Sequence, residues 1–142
     1  MIERIVVASD CSETASRAVA WAAEMARRYE AGLTVVQAFV PGPAPPGAET
    51  DLAVYAERHG GPGTRVRVAA GDDPATVIVE AAEAERADVL VVGNIGMSGR
   101  REFLLGNVPN RVSHNARCTV VIVNTAEETR GKRLVPWSRS RT

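Results

Sequence analysis

The residues best suited to chemistry lie in one stretch, Gly93-Asn94-Ile95-Gly96-Met97-Ser98-Gly99-Arg100-Arg101-Glu102-Phe103-Leu104-Leu105-Gly106-Asn107. Three features suit it to phosphate. Glycine permits positive φ and lets a ligand approach the backbone closely. Successive N–H groups can form an anion-binding concavity. The helix expected just after Asn107 would add free N–H groups and the positive end of its dipole. Arg100 and Arg101 can supply charge at the rim. The stretch lacks the GK[ST] of a Walker loop and is not GxGxxG. On spacing alone, it reads equally as a nucleotide loop or as a long connection whose glycines only turn the chain.

The elements that must position this loop alternate between strand and helix. Ile5–Ala8 and Val89–Val92 are short apolar runs, as expected of strands buried on both faces. Leu33–Val40 forms the second strand, and Thr119–Val123 the last. Arg65–Ala69 alternates and reads as a third strand near a sheet edge. Ala15, Ala18, Val19, Ala22, Met25, Ala26 and Tyr29 recur at helical steps, with Gly32 as the expected stop. A short helix is predicted over about Glu49–Arg58. Asp73 can cap a further helix that starts at Pro74 and runs to about Glu85. A last helix is predicted over about Pro109–Ala116. Pro41–Gly47 holds four prolines and two glycines and is a loop. Five strands alternating with helices imply an α/β fold with a parallel, doubly wound sheet and helices on both faces. Ligands of such sheets sit beyond the carboxyl ends of the strands, where strand order reverses. Attention therefore falls on the loops after strands one and four.

Composition bounds the rest. The chain has 142 residues, with 45% hydrophobic, 24% charged and only 4% aromatic. That fits one domain whose core is built from Ala, Val, Ile and Leu. The net charge is zero, so no global field points to nucleic acid or membrane. Residues 126–142 carry Arg130, Lys132, Arg133, Arg139 and Arg141 against Glu127 and Glu128, which is a basic tail expected to be flexible. Cys11 and Cys118 form no metal-type pair and read as reduced thiols. With no signal peptide or long apolar run, the expected location is the cytoplasm.

Gly93-x2-Gly96-x9-Gly106 resembles the G-x2-G-x9-G-(S/T) ATP-binding signature of the universal stress protein family. The resemblance covers residues 2–125 and includes Ser9-Asp10-Cys11-Ser12-Glu13 after strand one, Gly71, Ala87-Asp88 and the last strand. It implies a five-stranded parallel sheet of the Rossmann-like, adenine nucleotide alpha hydrolase-like type over residues 1–125. It also implies roles for particular residues. Asp10 matches the acid that contacts adenine or ribose, and Ala38 the strand-two residue whose backbone faces adenine. Gly93, Gly96 and Gly106 match the phosphate-loop glycines. Asn107 and Val108 match the two positions that reach phosphate and ribose. Asn107 departs from the signature, which has Ser or Thr there; Asn can still donate through its amide and is a good helix cap. The segment between strands two and three is short for the family, which would open the adenine side of the pocket.

Bland readings stand beside these. Asp10-x-x-Glu13 fits a capping box for the first helix. Ser12 reads as a cap. Cys11 is a small residue near the pocket, where a helix N-terminus could lower its pKa. His59 and His114 have no partners at ligand spacing. No convincing general base is apparent, so the chain reads as a binding or switch protein and not a turnover enzyme. The resemblance implies ATP, with phosphate-bound Mg²⁺ as the usual companion. Cyclic AMP or AMP is the alternative, because Gly93-Asn94-Ile95-Gly96 with Val108-Pro109 looks like the cyclic-AMP-binding members. A nucleotide-free interaction module is a third reading. Family members dimerise through their last strands, so a homodimer through Thr119–Val123 is expected, with a protein partner of unknown identity.

Overall fold

The computed structural model of the protein describes residues 1–94 and 107–125. Five strands form one sheet: β1 (Arg4–Ala8), β2 (Gly32–Phe39), β3 (Arg65–Ala70), β4 (Val89–Gly93) and β5 (Thr119–Val123). Among the described residues four helices connect them: α1 (Ser16–Tyr29), α2 (Ala48–Gly60), α3 (Pro74–Ala84) and α4 (Val108–Asn115). The strand order is β3-β2-β1-β4-β5, and every pairing is parallel. The expected fold class is therefore the observed one, and β3 is an edge strand as its alternation suggests.

Alternation along the buried strands sorts the core into two layers. Ile5, Val7, Val35 and Val91 face α1 and α2, with Ala18, Ala22, Leu52 and Ala56 opposite them. Val6, Val36, Leu90 and Val92 face α3 and α4, with Ile78, Ala82, Val108 and Val112 opposite them. Alanine-lined helices take the place of the missing aromatics: α1 buries Ala18, Ala22, Ala23 and Ala26 beside a single valine, Val19.

Local signals worked unevenly. Asp73 caps α3 as expected, its carboxylate accepting from Thr76 N at 3.0 Å, with Pro74 in the first turn. Two other ends differ from expectation. Gly32 does not stop α1 but opens β2. The stop is Glu30, at φ 56°, with Ala31 N donating to Ala26 O and Glu30 N to Arg27 O. Arg86, at φ 58°, ends α3 in the same way, through Ala87 N to Ala82 O and Arg86 N to Glu83 O. This is the Schellman pattern with a charged residue in the place that glycine usually takes. The capping box at Asp10 also fails. The chain turns through Glu13–Ala15 before α1 begins at Ser16, so Asp10 lies too far upstream to cap it.

Candidate functional site

The order β3-β2-β1-β4-β5 reverses direction between β1 and β4, so a crevice opens at the carboxyl ends of those two strands. Asp10 follows β1, and Gly93 is the last residue of β4. Ala38 lies two residues beyond Val36, the β2 partner of Ala8. It packs on the α3/α4 side with Ala8. Val108 begins α4 and is buried. The fold thus gathers Asp10, Ala38, Gly93, Asn107 and Val108 at the carboxyl end of the sheet. Gly96 and Gly106 lie outside the described residues, as do Arg100, Arg101 and the basic tail.

The loop after β1 is held from several sides. Ser9 is buried; its N–H donates to Val36 O at 2.8 Å and its hydroxyl to the Tyr55 hydroxyl at 2.9 Å. Ser9 Oγ also accepts from Cys11 N at 3.0 Å. Asp10 Oδ1 accepts from Ser12 N at 2.9 Å, and Ser12 Oγ accepts from Ala15 N at 3.1 Å. One carboxylate oxygen of Asp10 therefore shapes the turn, and the other has no hydrogen-bond partner among the described residues.

Asn107 occupies the N-cap position of α4, yet its side chain makes no capping bond. Its φ of 53° and ψ of 45° are left-handed, whereas a capping side chain is normally aimed from extended backbone. Asparagine tolerates that conformation and a β-branched threonine does not, which gives Asn a structural reason to stand there. Among the described residues no side chain caps the first-turn N–H groups of α4, as an anion site requires. Pro109 has no N–H, so this turn has one donor fewer than usual.

Two contacts that no local pattern foretells fix the frame. Asp73 and Arg111 make a bidentate pair, Nη1 to Oδ1 at 2.7 Å and Nη2 to Oδ2 at 2.8 Å. It ties the start of α3 to the first turns of α4. Hydrogen bonds from Arg111 and then Thr76 hold the Asp73 carboxyl well below the usual carboxylate range. Asn94 latches the exit of β4 to the end of β5: its N–H donates to Val123 O, and its Oδ1 accepts from Thr125 N at 2.9 Å. Arg17 Nη1 donates to Thr125 O from α1.

Cys11 does not have the lowered pKa that a nearby helix N-terminus would give. The helix starts five residues later, and burial, then the carboxylates of Asp10 and Asp51, push the thiol up to about 11. Its Sγ donates to Gln37 Oε1 at 3.4 Å. His59 packs against the ring of Tyr55 in a tilted arrangement, 4.6 Å between centroids and 56° between planes. Among the described residues no group of three or more His, Cys, Asp or Glu is placed to hold a metal. No described helix is long and apolar enough to cross a membrane.

Comparison with known proteins follows the same outline. The family model for the universal stress protein family matches residues 1–124. A universal stress protein of Thermus aquaticus is 32% identical over 137 residues, covering 87% of this chain and 99% of the relative. The crystal structure of a universal stress protein in complex with cAMP superposes with a TM-score of 0.70 at 33% identity, over 88% of this chain and 98% of that one. A universal stress protein from Archaeoglobus fulgidus in complex with dAMP gives a TM-score of 0.66 at 26% identity, over 87% and 100%. Relatives from Methanocaldococcus jannaschii and Mycobacterium tuberculosis match at 48% identity over short stretches; these span 29% and 36% of their length.

Proposed function

This chain belongs to the universal stress protein family, and we propose that it binds an adenine nucleotide between β1 and β4 and acts as a regulator or switch, not a turnover enzyme. The observation that carries the reading is the meeting of Asp10, the end of β4 and the uncapped start of α4 at the point where strand order reverses. These groups fit the ligand. Asp10 has a free carboxylate oxygen for a ribose hydroxyl or adenine amine, and α4 has backbone donors for phosphate. Gly93, Gly96 and Gly106 would let the backbone approach the phosphates, with Asn107 and Val108 beside them and the Ala38 backbone facing adenine. ATP, accompanied by Mg²⁺ on its phosphates, is the first reading.

A single-phosphate ligand, cyclic AMP or AMP, is the second. Pro109 removes one donor from the phosphate-binding turn, and a relative at 33% identity was crystallised with cAMP. Calorimetric titration with ATP, ADP, AMP and cyclic AMP tests both. Binding is expected, and Gly106→Val should weaken it at least about tenfold by placing a side chain where the backbone meets phosphate. Tighter binding of ATP than AMP selects the first reading and the reverse selects the second. No binding of any of the four sinks both and leaves the interaction module.

The same proposal places the protein in the cytoplasm as a homodimer with an unidentified protein partner. The tail, residues 126–142, would be a flexible basic arm on the 1–125 domain. β5 is an edge strand with Ile122 42% exposed, and edge pairing between two copies would cover it. Light scattering at micromolar concentration should give twice the chain mass. Ile122→Lys should halve it, and a monomeric wild-type mass would refute the dimer.

A further inference from the structure

The turn that carries Asp10 is not held by the loop alone. Cys11, the next residue, sits at φ 67°, in the left-handed region that residues other than glycine enter rarely. Local bonds supply part of the hold. Asp10 Oδ1 accepts from Ser12 N, two residues on, which is the geometry of an Asx turn. Cys11 N donates to Ser9 Oγ.

The rest of the hold comes from α2. Tyr55 stands one turn after Leu52, so the two share a helix face. Its half-buried ring packs against the core layer that contains Leu52. Its hydroxyl reaches across to the loop after β1. Ser9 Oγ donates to it at 2.9 Å, and it donates in turn to Ser12 O at 3.4 Å. The bonds form one directed run, from Cys11 N–H to Ser9 Oγ, from Ser9 O–H to Tyr55 Oη, and from Tyr55 O–H to Ser12 O. Each hydroxyl takes one bond and gives one. The run therefore leaves the loop at Cys11 and returns to it at Ser12, the residue whose N–H the Asp10 carboxylate binds. Ser12 O also accepts from Ser16 N at 3.2 Å, which ties the same carbonyl to the first residue of α1. Burial, opposed by the bond from Ser9, pushes the Tyr55 hydroxyl up to about 12, so it keeps the proton it donates.

We propose that Tyr55 is a positioning residue for the nucleotide site: its hydroxyl, acting through Ser9 and Ser12, sets the turn that aims Asp10 at the ligand. Resting on the reading of Asp10 as a nucleotide contact, this role adds control from α2, a helix that carries none of the site residues named above. Ring and hydroxyl divide the work. The ring packs with the core, and the hydroxyl fixes the turn. Removing the hydroxyl alone disturbs Asp10 and leaves the seating of α2 intact.

Tyr55→Phe makes that change. Amide exchange without ligand is measured first. Exchange at Cys11 and Ser12 should speed up about fivefold, the worth of one hydrogen bond, while Val6 and Val7 in β1 keep their protection. Calorimetric titration follows, with whichever of ATP, ADP, AMP and cyclic AMP the wild type binds. Tyr55→Phe should raise Kd about fivefold. In an Asp10→Ala background, where no carboxylate is left to aim, the same change should alter Kd less than about twofold. Ser9→Ala cuts the run from the β1 side and should repeat both results. A merely structural role raises Kd equally in both backgrounds, and that outcome overturns the proposal. So does unchanged exchange at Cys11 and Ser12, which reads the brace without any nucleotide. Binding that Tyr55→Phe leaves untouched sinks this role alone, whereas a wild type that binds none of the four sinks the nucleotide reading and this role with it.

Discussion

Leu52→Ala is expected to lower stability by about 3 kcal/mol, within the range for emptying a fully buried leucine site. The basis is the thin attachment of α2. Its buried residues are Ala48, Leu52 and Ala56, so Leu52 is the one large side chain of this 13-residue helix that is fully buried, with half-buried Tyr55 beside it. It is 0% exposed and packs in the layer that contains Ile5, Val7 and Val35. Two flanking alanines cannot move far enough to refill the space. For a chain of this size the loss amounts to a fall of about 10 °C in melting temperature. Hydrogen exchange should rise first in α2, because the helix loses its anchor before the sheet loses a strand. Val54→Ala, on the exposed side of the same helix, should change stability little. A loss below about 1 kcal/mol for Leu52→Ala would mean that α2 is held by its loop and not by its core contact.

What the sequence made legible was what neighbouring residues decide together. The apolar runs at β1 and β4 announce strands buried on both faces. Asp73-Pro74 announces the start of α3 because cap and first-turn residue are adjacent. Alternation marks β3 as near a sheet edge, and the α/β pattern directs attention to the loops after β1 and β4. What stayed hidden depends on distance or on tolerated strain. Asp73 and Arg111 are 38 residues apart, and nothing near either marks the other. Asn94 and Thr125 meet only because β4 and β5 are neighbours in the sheet. Glu30 and Arg86 in left-handed backbone defeat the rule that glycine marks the stop, since the hydrogen bonds of the Schellman turn outweigh the steric cost. Asn107 was legible as a cap and proved instead to be a left-handed residue. A hollow between β2 and α2 was invisible for a similar reason: Cys11, Gln37, Pro45 and Tyr55, which line it, come from four separate segments.

Cys11 should react with iodoacetamide about tenfold more slowly in the folded chain than in the unfolded one at pH 8. Raising the thiol from 9.0 to about 11 cuts its thiolate fraction about a hundredfold. The more basic thiolate is also the better nucleophile, which returns about a factor of ten. Cys118 is also raised by burial, so the measurement belongs in a Cys118→Ser background. Burial is the first cause at Cys11, with Asp10 second and Asp51 third. Asp51→Asn should therefore speed the reaction only a few-fold, while urea should restore the full rate. The same shift sets a stability limb. A thiol whose folded pKa is raised leaves stability untouched below pH 9, where both states are protonated. From 9 to about 11 the unfolded chain releases its proton and the folded chain does not, so stability falls. Tyr55 extends this from 10 to about 12. The melting temperature should fall steeply over this alkaline window, and in the Cys118→Ser background Cys11→Ala should remove the earlier part of the fall. An alkylation rate equal to that of the unfolded chain would show that the Cys11 thiol is as open to solvent in the fold as out of it.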